Sequence, residues 1–329
     1  MTALYMLDII SLGDSTLDTF VGLNEAMVNC SINKDSCQFC FNYADKIPVT
    51  SWQTTIGGNA ANNAVAMSRL GLSAALWTIV GLDAVGQQIK ATMRSEKVSP
   101  SLIETDKKSP SNQSFIINFQ GERTILIHHN KRQYALPQLP KSAWLYLTSM
   151  GGGSEKVFPA LAKHIKKSKA KLAFNPGTFQ LKLGGRGLKS MLELTDVLFL
   201  NVEEAARLLE KGAERDLHIL TKGLLALGPK IVVITDGQNG AHATNGVKCW
   251  FMPIQAKAPV VERTGAGDSF ASGFLSAMLH GQAVDEALRW GTLNSASVIG
   301  QVGPQAGLLH LNQMKSNLKK YKQLSAEAC

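Results

Sequence analysis

The sequence predicts an α/β fold in which helices cover both faces of a parallel sheet. Short apolar runs alternate with segments of helical spacing, and this alternation is typical of such a sheet. The runs are rich in Val, Ile, Leu and aromatic residues, which favour strands. The predicted strands are Leu7–Leu12, Ala74–Val80, Trp144–Leu147, Leu172–Phe174, Val197–Leu200 and Ile231–Ile234.

The helical segments carry apolar residues at the spacing of one helix face. No internal repeat and no low-complexity linker divides the chain, so we predict a single domain over residues 1–329. The predicted helices are Ala60–Leu70, Val85–Lys97, Glu155–Lys167, Val202–Lys211, Ala266–His280, Asp285–Gly300 and Leu311–Leu324.

Two segments interrupt the alternation and predict a small second sheet. Residues 16–56 contain no convincing helix, and Ser114–Phe119 and Thr124–His129 have the pattern of a hairpin with a polar, glycine-containing turn. Strands from the two segments would cover the carboxyl ends of the main strands, where open α/β sheets bind ligands. We therefore predict a lid formed by residues of about 15–56 and 110–132.

Length and composition are those of an ordinary globular protein. The 329 residues are 45% hydrophobic and 18% charged, which excludes wholesale disorder, and a chain this long needs no disulfide or metal to fold. No stretch approaches the roughly 20 apolar residues of a membrane span, and the start lacks the features of a signal peptide. Five cysteines are an odd, sparse count. We expect a cytoplasmic protein without a membrane partner.

The net charge of +9 raises nucleic acid, an acidic membrane surface or a phosphate-rich ligand as partners. Much of the excess falls on two lysine clusters that belong to no motif described below. No basic stripe is interleaved with aromatic residues, so we expect no nucleic-acid partner. The clusters are Lys163, Lys166, Lys167, Lys169 and Lys171, and Lys315, Lys319, Lys320 and Lys322.

The sharpest motif runs from Thr264 to Asp268. A turn of Gly265, Ala266 and Gly267 opens a predicted helix and exposes backbone N–H groups at the positive end of its dipole, which is an anion site. Asp268 follows in the first turn, where its carboxylate can take a proton from a hydroxyl that attacks a bound phosphoryl group. A helix cap is the alternative role for Asp268. The chain contains no Walker A sequence.

A second glycine motif, Gly57-Gly58-Asn59, precedes another predicted helix. The two glycines allow a ligand to approach the backbone closely. Asn59, Asn62 and Asn63 share one face of the helix, and three amides suit a polyhydroxylated ligand. The alternative is a cap followed by a solvated surface.

Polar residues also follow three predicted strands. Asp14 and Asp18 come after the first strand, where carboxylates accept hydrogen bonds from sugar hydroxyls or serve in turns. Asn201 and Glu204 have the spacing of a capping box, so a purely structural role is a strong alternative. The segment 235–240 follows its strand in the same way.

In this order and spacing, the motifs resemble the ribokinase (PfkB) family of carbohydrate kinases, from Gly13 to about Gly307. The resemblance implies an ATP-dependent phosphotransferase with a Rossmann-like three-layer α/β/α core, ribokinase-like, and a small β-sheet lid. The motifs that match are the two signatures Gly57–Asn62 and Thr264–Asp268, and the shorter patterns Gly81-x-Asp83-x-x-Gly86, Asn201-x-x-Glu204 and Thr235-x-Gly237-x-x-Gly240.

The resemblance also implies roles for individual residues. Asp268 matches the general base, and Gly265, Ala266 and Gly267 match the anion hole. Asn201 and Glu204 match a pair that organises Mg²⁺, through water, and phosphate. The implied nucleotide contacts are Asn201, Thr235, Gly237, Gly240, Thr264 and Asn294. The implied substrate contacts are Asp14, Asp18, Gly57, Gly58, Asn59 and Asn62.

The chain departs from the family pattern at three positions. Glu262 stands where many members have Asp, at a position that helps to bind a monovalent cation together with the later loop 297–303. Because Glu is longer than Asp, K⁺ dependence stays open. Arg263 is either a phosphate contact or a surface charge. Asn59 stands where ribokinases usually carry Lys, so ribose is not assured as the substrate.

Three cysteines, Cys30, Cys37 and Cys40, lie close together in the predicted lid. Reduced thiols are the default for so sparse a set. A disulfide is one alternative, and a zinc site with Asp35 or Asp45 as a further ligand is another. None of the seven histidines has the spacing of a catalytic zinc site.

We therefore predict a kinase that transfers the γ-phosphoryl group of ATP to a primary hydroxyl of a sugar. One alternative is a nucleoside kinase, adenosine-like, in which a lid aromatic stacks on the base. Another is a sugar-phosphate kinase, in which basic residues near the lid bind the phosphate. A non-catalytic ligand-binding or nucleic-acid-binding protein is the alternative outside this class. By analogy of fold, a homodimer through the lid is also expected. The aromatics are Trp52, Phe115 and Phe119, and the basic residues are Arg123, Lys131 and Arg132.

Overall fold

A computed structural model describes residues 6–23, 27–30, 37–119, 122–255 and 260–329 of the chain. This part contains sixteen strands and ten α-helices. The strands are β1 Leu7–Leu12, β2 Thr16–Gly22, β3 Met27–Cys30, β4 Cys37–Cys40, β5 Ser51–Gly57, β6 Ala74–Gly81, β7 Ile103–Asp106, β8 Asn112–Phe119, β9 Glu122–His128, β10 Ser142–Leu147, β11 Lys171–Phe174, β12 Val197–Asn201, β13 Ile231–Thr235, β14 Ala241–Thr244, β15 Cys249–Met252 and β16 Glu327–Ala328. The helices are α1 Asn59–Arg69, α2 Ala84–Ser95, α3 Phe158–Ser168, α4 Thr178–Leu181, α5 Gly184–Leu192, α6 Val202–Leu208, α7 Leu217–Ala226, α8 Ala266–Leu279, α9 Val284–Val298 and α10 Leu311–Lys320.

The main sheet contains ten of the described strands, in the order β16-β15-β14-β13-β12-β11-β10-β1-β6-β7. The strands from β13 to β7 run parallel, and β14, β15 and β16 extend one edge as antiparallel strands. Every strand that the apolar runs predicted lies in the parallel part. The prediction of an α/β fold with a large sheet is therefore confirmed.

Alternate residues of the parallel strands face opposite layers of helices. In β1, Ile10 belongs to a buried cluster that includes Leu161 of α3, whereas Ile9 belongs to a second cluster that includes Phe274 of α8. All four side chains are fully buried. Each such burial stabilises the fold by about 1.5–3 kcal/mol relative to an exposed side chain. The core thus has three layers, with the sheet between two layers of helices.

A second sheet of four strands, in the order β5-β2-β8-β9, lies apart from the main sheet. Strand β2 runs parallel to β8, and the outer pairs are antiparallel. All four strands fall in the two segments that the sequence predicts as a lid. Asp83 connects this sheet to the core because its carboxylate caps α2 through Gly86 N–H at 2.7 Å and also accepts from Ser111. The motif Gly81-x-Asp83-x-x-Gly86 therefore has a structural role here.

Strands β3 and β4 form a separate hairpin that places Cys30 opposite Cys37 in the register. The side chains of these two cysteines lie outside the described residues, as do Asp35 and residues 120–121, where the sequence predicts the hairpin turn. The prediction of reduced thiols in this cluster therefore stays a prediction.

A disulfide joins Cys249, at the start of β15, to Cys329, directly after β16. The two Cα atoms are 5.2 Å apart, and the Cys329 N–H donates to the Cys249 carbonyl at 3.3 Å. Neither residue belongs to the cysteine cluster for which the sequence raises a disulfide. Among the helices that the structure describes, none is both long enough and apolar enough to cross a membrane.

Candidate active site

The N-terminus of α8 presents backbone N–H groups to a cleft between the main sheet and the second sheet. Gly265 is left-handed, with φ of 79°, and a Cβ there would lie 2.6 Å from the Pro304 side chain, so only glycine fits. At Gly267, no heavy atom of the described residues lies within 4 Å of the Cβ position. The turn is held tightly on one side and is open on the other, as an anion site requires.

Asp268 lies in the first turn of α8 and is held by a chain of amides. The Asn62 side-chain amide donates to the Asp268 carboxylate at 2.9 Å, and Gln305 donates to the Asn62 carbonyl oxygen at 3.1 Å. Burial raises the pKa of Asp268 to about 6; the Asn62 bond opposes this rise, whereas the charges of Glu204 and Asp18 add to it. A carboxylate with a pKa close to neutrality is suited to accept and release a proton.

Helix α1 is fixed against α8 by a second amide. Asn63 donates to Ser272 Oγ at 3.0 Å, and its oxygen accepts from Ser11 Oγ of β1 at 2.8 Å. Asn63 is fully buried. It therefore cannot contact a ligand, although the sequence placed it on the same helix face as Asn59 and Asn62. Its role is to hold Asn62 in place opposite Asp268.

The two glycines before α1 pack directly against the segment that carries the acidic residues. A Cβ on Gly57 would lie 1.9 Å from the Asp18 carboxylate, and one on Gly58, where φ is 92°, would lie 2.6 Å from the Asp14 carbonyl oxygen. Burial raises the pKa of Asp18, while hydrogen bonds from Thr16 and Ser114 oppose the rise. The glycines thus bring Asp14 and Asp18 close to the start of α1.

Asp14 forms a buried polar cluster that the sequence did not reveal. Its carboxylate accepts from the Tyr134 hydroxyl at 2.9 Å and from the Gly151 N–H at 2.9 Å. Burial raises the pKa of Asp14 to about 6. His129 Nδ1 lies 4.0 Å from the carboxylate, but burial lowers the pKa of His129, so the imidazole is neutral near pH 7 and forms no ion pair. Phe179 stacks on the His129 ring with centroids 6.4 Å apart.

The four predicted catalytic residues line one cavity of about 170 Å³, together with four of the predicted binding residues. The cavity lies at the carboxyl ends of β11, β12 and β13, where open α/β sheets bind ligands. Asn175 and Phe199 also line it, although neither is among the predicted site residues. The signal for Asn175 was present, since it directly follows a predicted strand. The predicted residues along the cavity are Asn59, Asn201, Glu204, Thr235, Gly265, Ala266, Gly267 and Asp268.

Asn201 and Glu204 form the capping box that their spacing predicts. The Glu204 N–H donates to Asn201 Oδ1 at 2.7 Å, and the Asn201 N–H donates to Glu204 Oε2 at 2.9 Å. Burial raises the pKa of Glu204. Because both residues also line the cavity, the structural role and a ligand-binding role are compatible.

The segment after β13 forms a tight turn whose shape depends on glycine. Gly237 and Gly240 have φ of 52° and 95°, and a Cβ on Gly240 would lie 2.4 Å from the Met252 carbonyl oxygen. The Asp236 N–H donates to the Gly240 carbonyl at 2.8 Å, which closes the turn. Thr235 at the end of β13 reaches the cavity.

The structure does not place Asn294 on the cleft. Its side chain is fully buried, its amide donates to the Ser269 carbonyl at 2.8 Å, and its oxygen accepts from the Leu309 N–H at 3.1 Å. With both polar atoms engaged inside the protein, Asn294 cannot make the predicted side-chain contact with a nucleotide. Instead it ties α9 to the first turn of α8.

Two buried oxygens before α8 have no hydrogen-bond partner among the described residues. They are Glu262 Oε2 and Thr264 Oγ1. The other Glu262 oxygen accepts from the Thr264 N–H at 2.6 Å. Buried polar atoms are rarely left unsatisfied, so both oxygens are candidates to bind a ligand or ion.

Arginines occupy the side of the cleft that faces the second sheet. Arg123 of β9 and Arg263 line the cavity beside Asp268 and also a neighbouring cavity of about 210 Å³. Arg132, in contrast, is buried and pairs with Asp106 at 2.8 Å and with the Ser109 carbonyl. Of the basic residues predicted near the lid, Arg123 therefore faces the cleft, whereas Arg132 is structural.

An α/β core with an open helix N-terminus beside a carboxylate of raised pKa is the arrangement expected of a phosphotransferase. The chain belongs to the pfkB family of carbohydrate kinases, whose model matches residues 20–311. Members of this family transfer a phosphoryl group to an alcohol. The family resemblance of the sequence motifs is thereby confirmed.

Individual relatives are distant but cover most of the chain. An ATP-dependent 6-phosphofructokinase of Thermoanaerobacterium thermosaccharolyticum is 25% identical over 84% of this chain and 90% of its own. A nucleoside kinase of Methanothermobacter thermautotrophicus is 26% identical over 81% and 87%. The solved structure of Arabidopsis thaliana ribokinase complexed with ribose and ATP has a TM-score of 0.77 at 20% identity, covering 95% of this chain and 99% of that one. This structural likeness shows the fold.

Proposed function

We propose that the protein transfers the γ-phosphoryl group of ATP to a primary hydroxyl of a sugar, with Asp268 as the general base. The observation that carries this proposal is the position of Asp268. Its carboxylate, with a pKa raised to about 6, lies in the same cavity as the open Gly265–Gly267 turn. A base next to an anion site is the arrangement that attack of a hydroxyl on a phosphoryl group requires.

The proposed catalytic groups have two different roles, proton transfer and stabilisation of negative charge. Asp268 accepts the proton of the attacking hydroxyl, and Asn62 holds the carboxylate in its ionised form. The N–H groups of Gly265, Ala266 and Gly267 stabilise the negative charge that develops on the transferred group. Catalysis of this kind depends on positioning and charge neutralisation more than on covalent chemistry.

Divalent and monovalent cations fit different parts of the site. Asn201 and Glu204 offer amide and carboxylate oxygens to the cavity, and Mg²⁺ prefers oxygen ligands and keeps several waters. Mg²⁺ would neutralise the phosphates of ATP beside this acidic wall. The unpartnered Glu262 Oε2 supports a monovalent cation such as K⁺, although the sequence left that dependence open.

For the nucleotide, the candidates are the polar groups on the α8 side of the cleft. Thr264 Oγ1 is buried without a described partner, Thr235 and Asn201 line the cavity, and the Gly237–Gly240 turn lies directly beyond β13. We exclude Asn294 from the nucleotide contacts, because its side chain is buried and hydrogen-bonded inside the core.

For the acceptor, the candidates are on the side of α1 and the second sheet. Asp14 and Asp18 accept hydrogen bonds from hydroxyls, and the glycines Gly57 and Gly58 allow close approach. Asn59 lines the cavity beside Asp268. Asn62 is also on this side and in addition donates one of its two amide N–H bonds to Asp268.

One observation favours a second candidate, a sugar-phosphate kinase. Arg123 faces both cavities of the cleft and would pair with an anionic acceptor. No comparable observation among the described residues favours a nucleoside, since the lid aromatics pack on other aromatic rings of the protein. Trp52 packs against Phe115 at 5.8 Å, and Phe119 packs against Phe39 at 5.6 Å.

The test is phosphorylation of a panel of sugars, nucleosides and sugar phosphates with ATP and Mg²⁺, measured as ADP release. We expect turnover with a sugar, and loss of at least about 10²-fold in Asp268→Asn with ATP affinity nearly unchanged. The matched control is Asp285→Asn, in the exposed first turn of α9, which should keep full activity. Equal turnover in Asp268→Asn would refute the general base, and phosphorylation of nucleosides alone would refute the sugar.

A single domain with the second sheet as its lid, and a homodimer through that lid, belong to the same proposal. Trp52 of β5 and Leu126 of β9 are each more than half exposed on one face of the lid sheet, and Phe115 of β8 lies between them on that face. Contiguous apolar surface of this kind is typical of protein interfaces. Light scattering should give a dimer, and Leu126→Glu should give a monomer, whereas Val247→Glu, on an exposed site elsewhere, should not. We place the protein in the cytoplasm, where ATP is available.

A further inference from the structure

The antiparallel edge of the main sheet brings three metal-binding side chains together, away from the kinase cleft. His242 lies on β14, Cys249 begins β15, and Cys329 directly follows β16. The register pairs His242 with Phe251 and Trp250 with Ala328, so three neighbouring strands each supply one side chain. None of the three residues lines either cavity of the cleft.

We propose that His242, Cys249 and Cys329 bind a thiophilic divalent cation such as Zn²⁺ when the two cysteines are reduced. The ligand atoms all lie within 4.8 Å of one another, and His242 Nδ1 is 3.9 Å from Cys329 Sγ. Two tetrahedral ligands of zinc, one sulfur and one nitrogen, are separated by about 3.6 Å, given bond lengths of about 2.3 and 2.0–2.1 Å. The nitrogen–sulfur distance therefore needs little adjustment.

The same two sulfurs are joined as a disulfide in the structure, so the two states exclude each other. On reduction, the disulfide takes up two electrons and two protons; a phosphine reductant supplies the electrons and becomes a phosphine oxide with oxygen from water. The cation then replaces the thiol protons, which pass to solvent. The sulfurs would separate to about 3.8 Å, and Cys329 can move for this because it directly follows β16, a two-residue exposed strand at the sheet edge.

The imidazole is already oriented for this role. The His242 ring packs on the Phe251 ring with centroids 4.8 Å apart, which limits its rotation. Two thiolates and one imidazole are ligands that zinc prefers, whereas Mg²⁺ prefers oxygen and would not compete. Three protein ligands leave the fourth tetrahedral position to water or another donor.

The test uses a variant in which Cys30, Cys37 and Cys40 are all replaced by serine, so that Cys249 and Cys329 are the sole thiols of the 329-residue chain. The variant is reduced with a phosphine and titrated with Co²⁺, which reports thiolate ligands by a charge-transfer absorption, and with Zn²⁺ in competition. We expect one ion per chain and a higher Tm for the loaded protein. Both effects should be absent before reduction.

Further substitutions in the same variant identify the ligands. Cys249→Ser and Cys329→Ser should each lower the charge-transfer absorption by at least about half, because each removes one of the two thiolates, and His242→Ala should weaken binding by at least about tenfold. His218→Ala, an exposed histidine at the start of α7, is the matched control and should bind as the parent does. Failure of the reduced parent to bind would overturn the proposal, as would unchanged binding in Cys249→Ser or equal binding by the oxidised protein. No readout depends on kinase activity, so the proposed function is tested separately.

Discussion

The Asn62 amide donates to the Asp268 carboxylate at 2.9 Å, and this bond joins two residues that are 206 positions apart in the chain. It opposes the effect of burial, which raises the pKa of Asp268 to about 6. Gln305 fixes the direction of the bond, since its amide occupies the Asn62 oxygen and leaves the Asn62 N–H₂ for Asp268. The geometry therefore sets both the position and the protonation of the proposed base.

The pH dependence of kcat/KM should report two carboxyl groups. Asp14 and Asp268 both have a pKa of about 6, and in the proposed reaction each must be ionised, Asp14 to bind the acceptor and Asp268 to accept its proton. Below about pH 6, kcat/KM for the acceptor should therefore fall with a slope approaching two on logarithmic axes. The residual activity of Asp268→Asn should fall with a slope of about one. A flat profile down to pH 4 in the parent protein would contradict these roles.

The free energy of unfolding should depend on pH through the Asp268 carboxyl group, and the direction of its pKa shift sets the direction of that dependence. The pKa of Asp268 is about 6 in the folded protein and close to 3.8 when unfolded, so between these values the folded state holds a proton that the unfolded state has released. The contribution of the Asp268 proton to folding stability is complete below about pH 4 and is lost as the pH rises through about 6. Asn cannot ionise, so Asp268→Asn should gain stability relative to the parent between about pH 4 and 7. Urea denaturation at several pH values measures this difference, and a constant difference would contradict it.

Gln305 should act as a positioning residue. In Gln305→Met the Asn62 oxygen loses its donor, so the Asn62 amide can turn and its bond to Asp268 weakens. We expect kcat to fall about tenfold and the acidic limb of the pH profile to move to higher pH, because that bond lowers the pKa of Asp268. Gln282→Met, at an exposed site, is the matched control. A fall in kcat without movement of the pH profile would indicate a general loss of structure instead.

Two left-handed glycines flank helix α8 and distinguish the effect of backbone strain from that of a steric clash. Gly265 and Gly281 have φ of 79° and 77°, but a Cβ meets Pro304 at 2.6 Å at the first and open space at the second. Gly281→Ala should lower the free energy of unfolding by about 1–2 kcal/mol and leave kcat unchanged. Gly265→Ala should in addition displace the anion hole and lower kcat at least about tenfold. Steady-state kinetics with thermal unfolding distinguishes them, and equal kcat values would count against the anion hole.

Much of the fold was predictable because its strands and helices are locally encoded. The six apolar runs became strands with ends within two residues, since continuous burial on both faces leaves an unmistakable pattern. Helix α5 was missed because Gly184, Gly185 and Gly187 disfavour an isolated helix, and only the packing of Leu188 and Leu192 stabilises it. The short antiparallel strands β14 to β16 were missed because they depend on their neighbours in the sheet.

By itself, the sequence determined the order of strands and helices, the glycine turns and the family, because these follow from local patterns and the spacing of motifs. Only the tertiary structure decided which polar side chains face the cleft. It buries the side chains of Asn63, Asn294 and Arg132, and each of these buried polar groups has a hydrogen-bond or ion-pair partner. It also brought Gln305 to Asn62 and Cys329 to Cys249, contacts between residues distant in the chain that leave no local trace in the sequence.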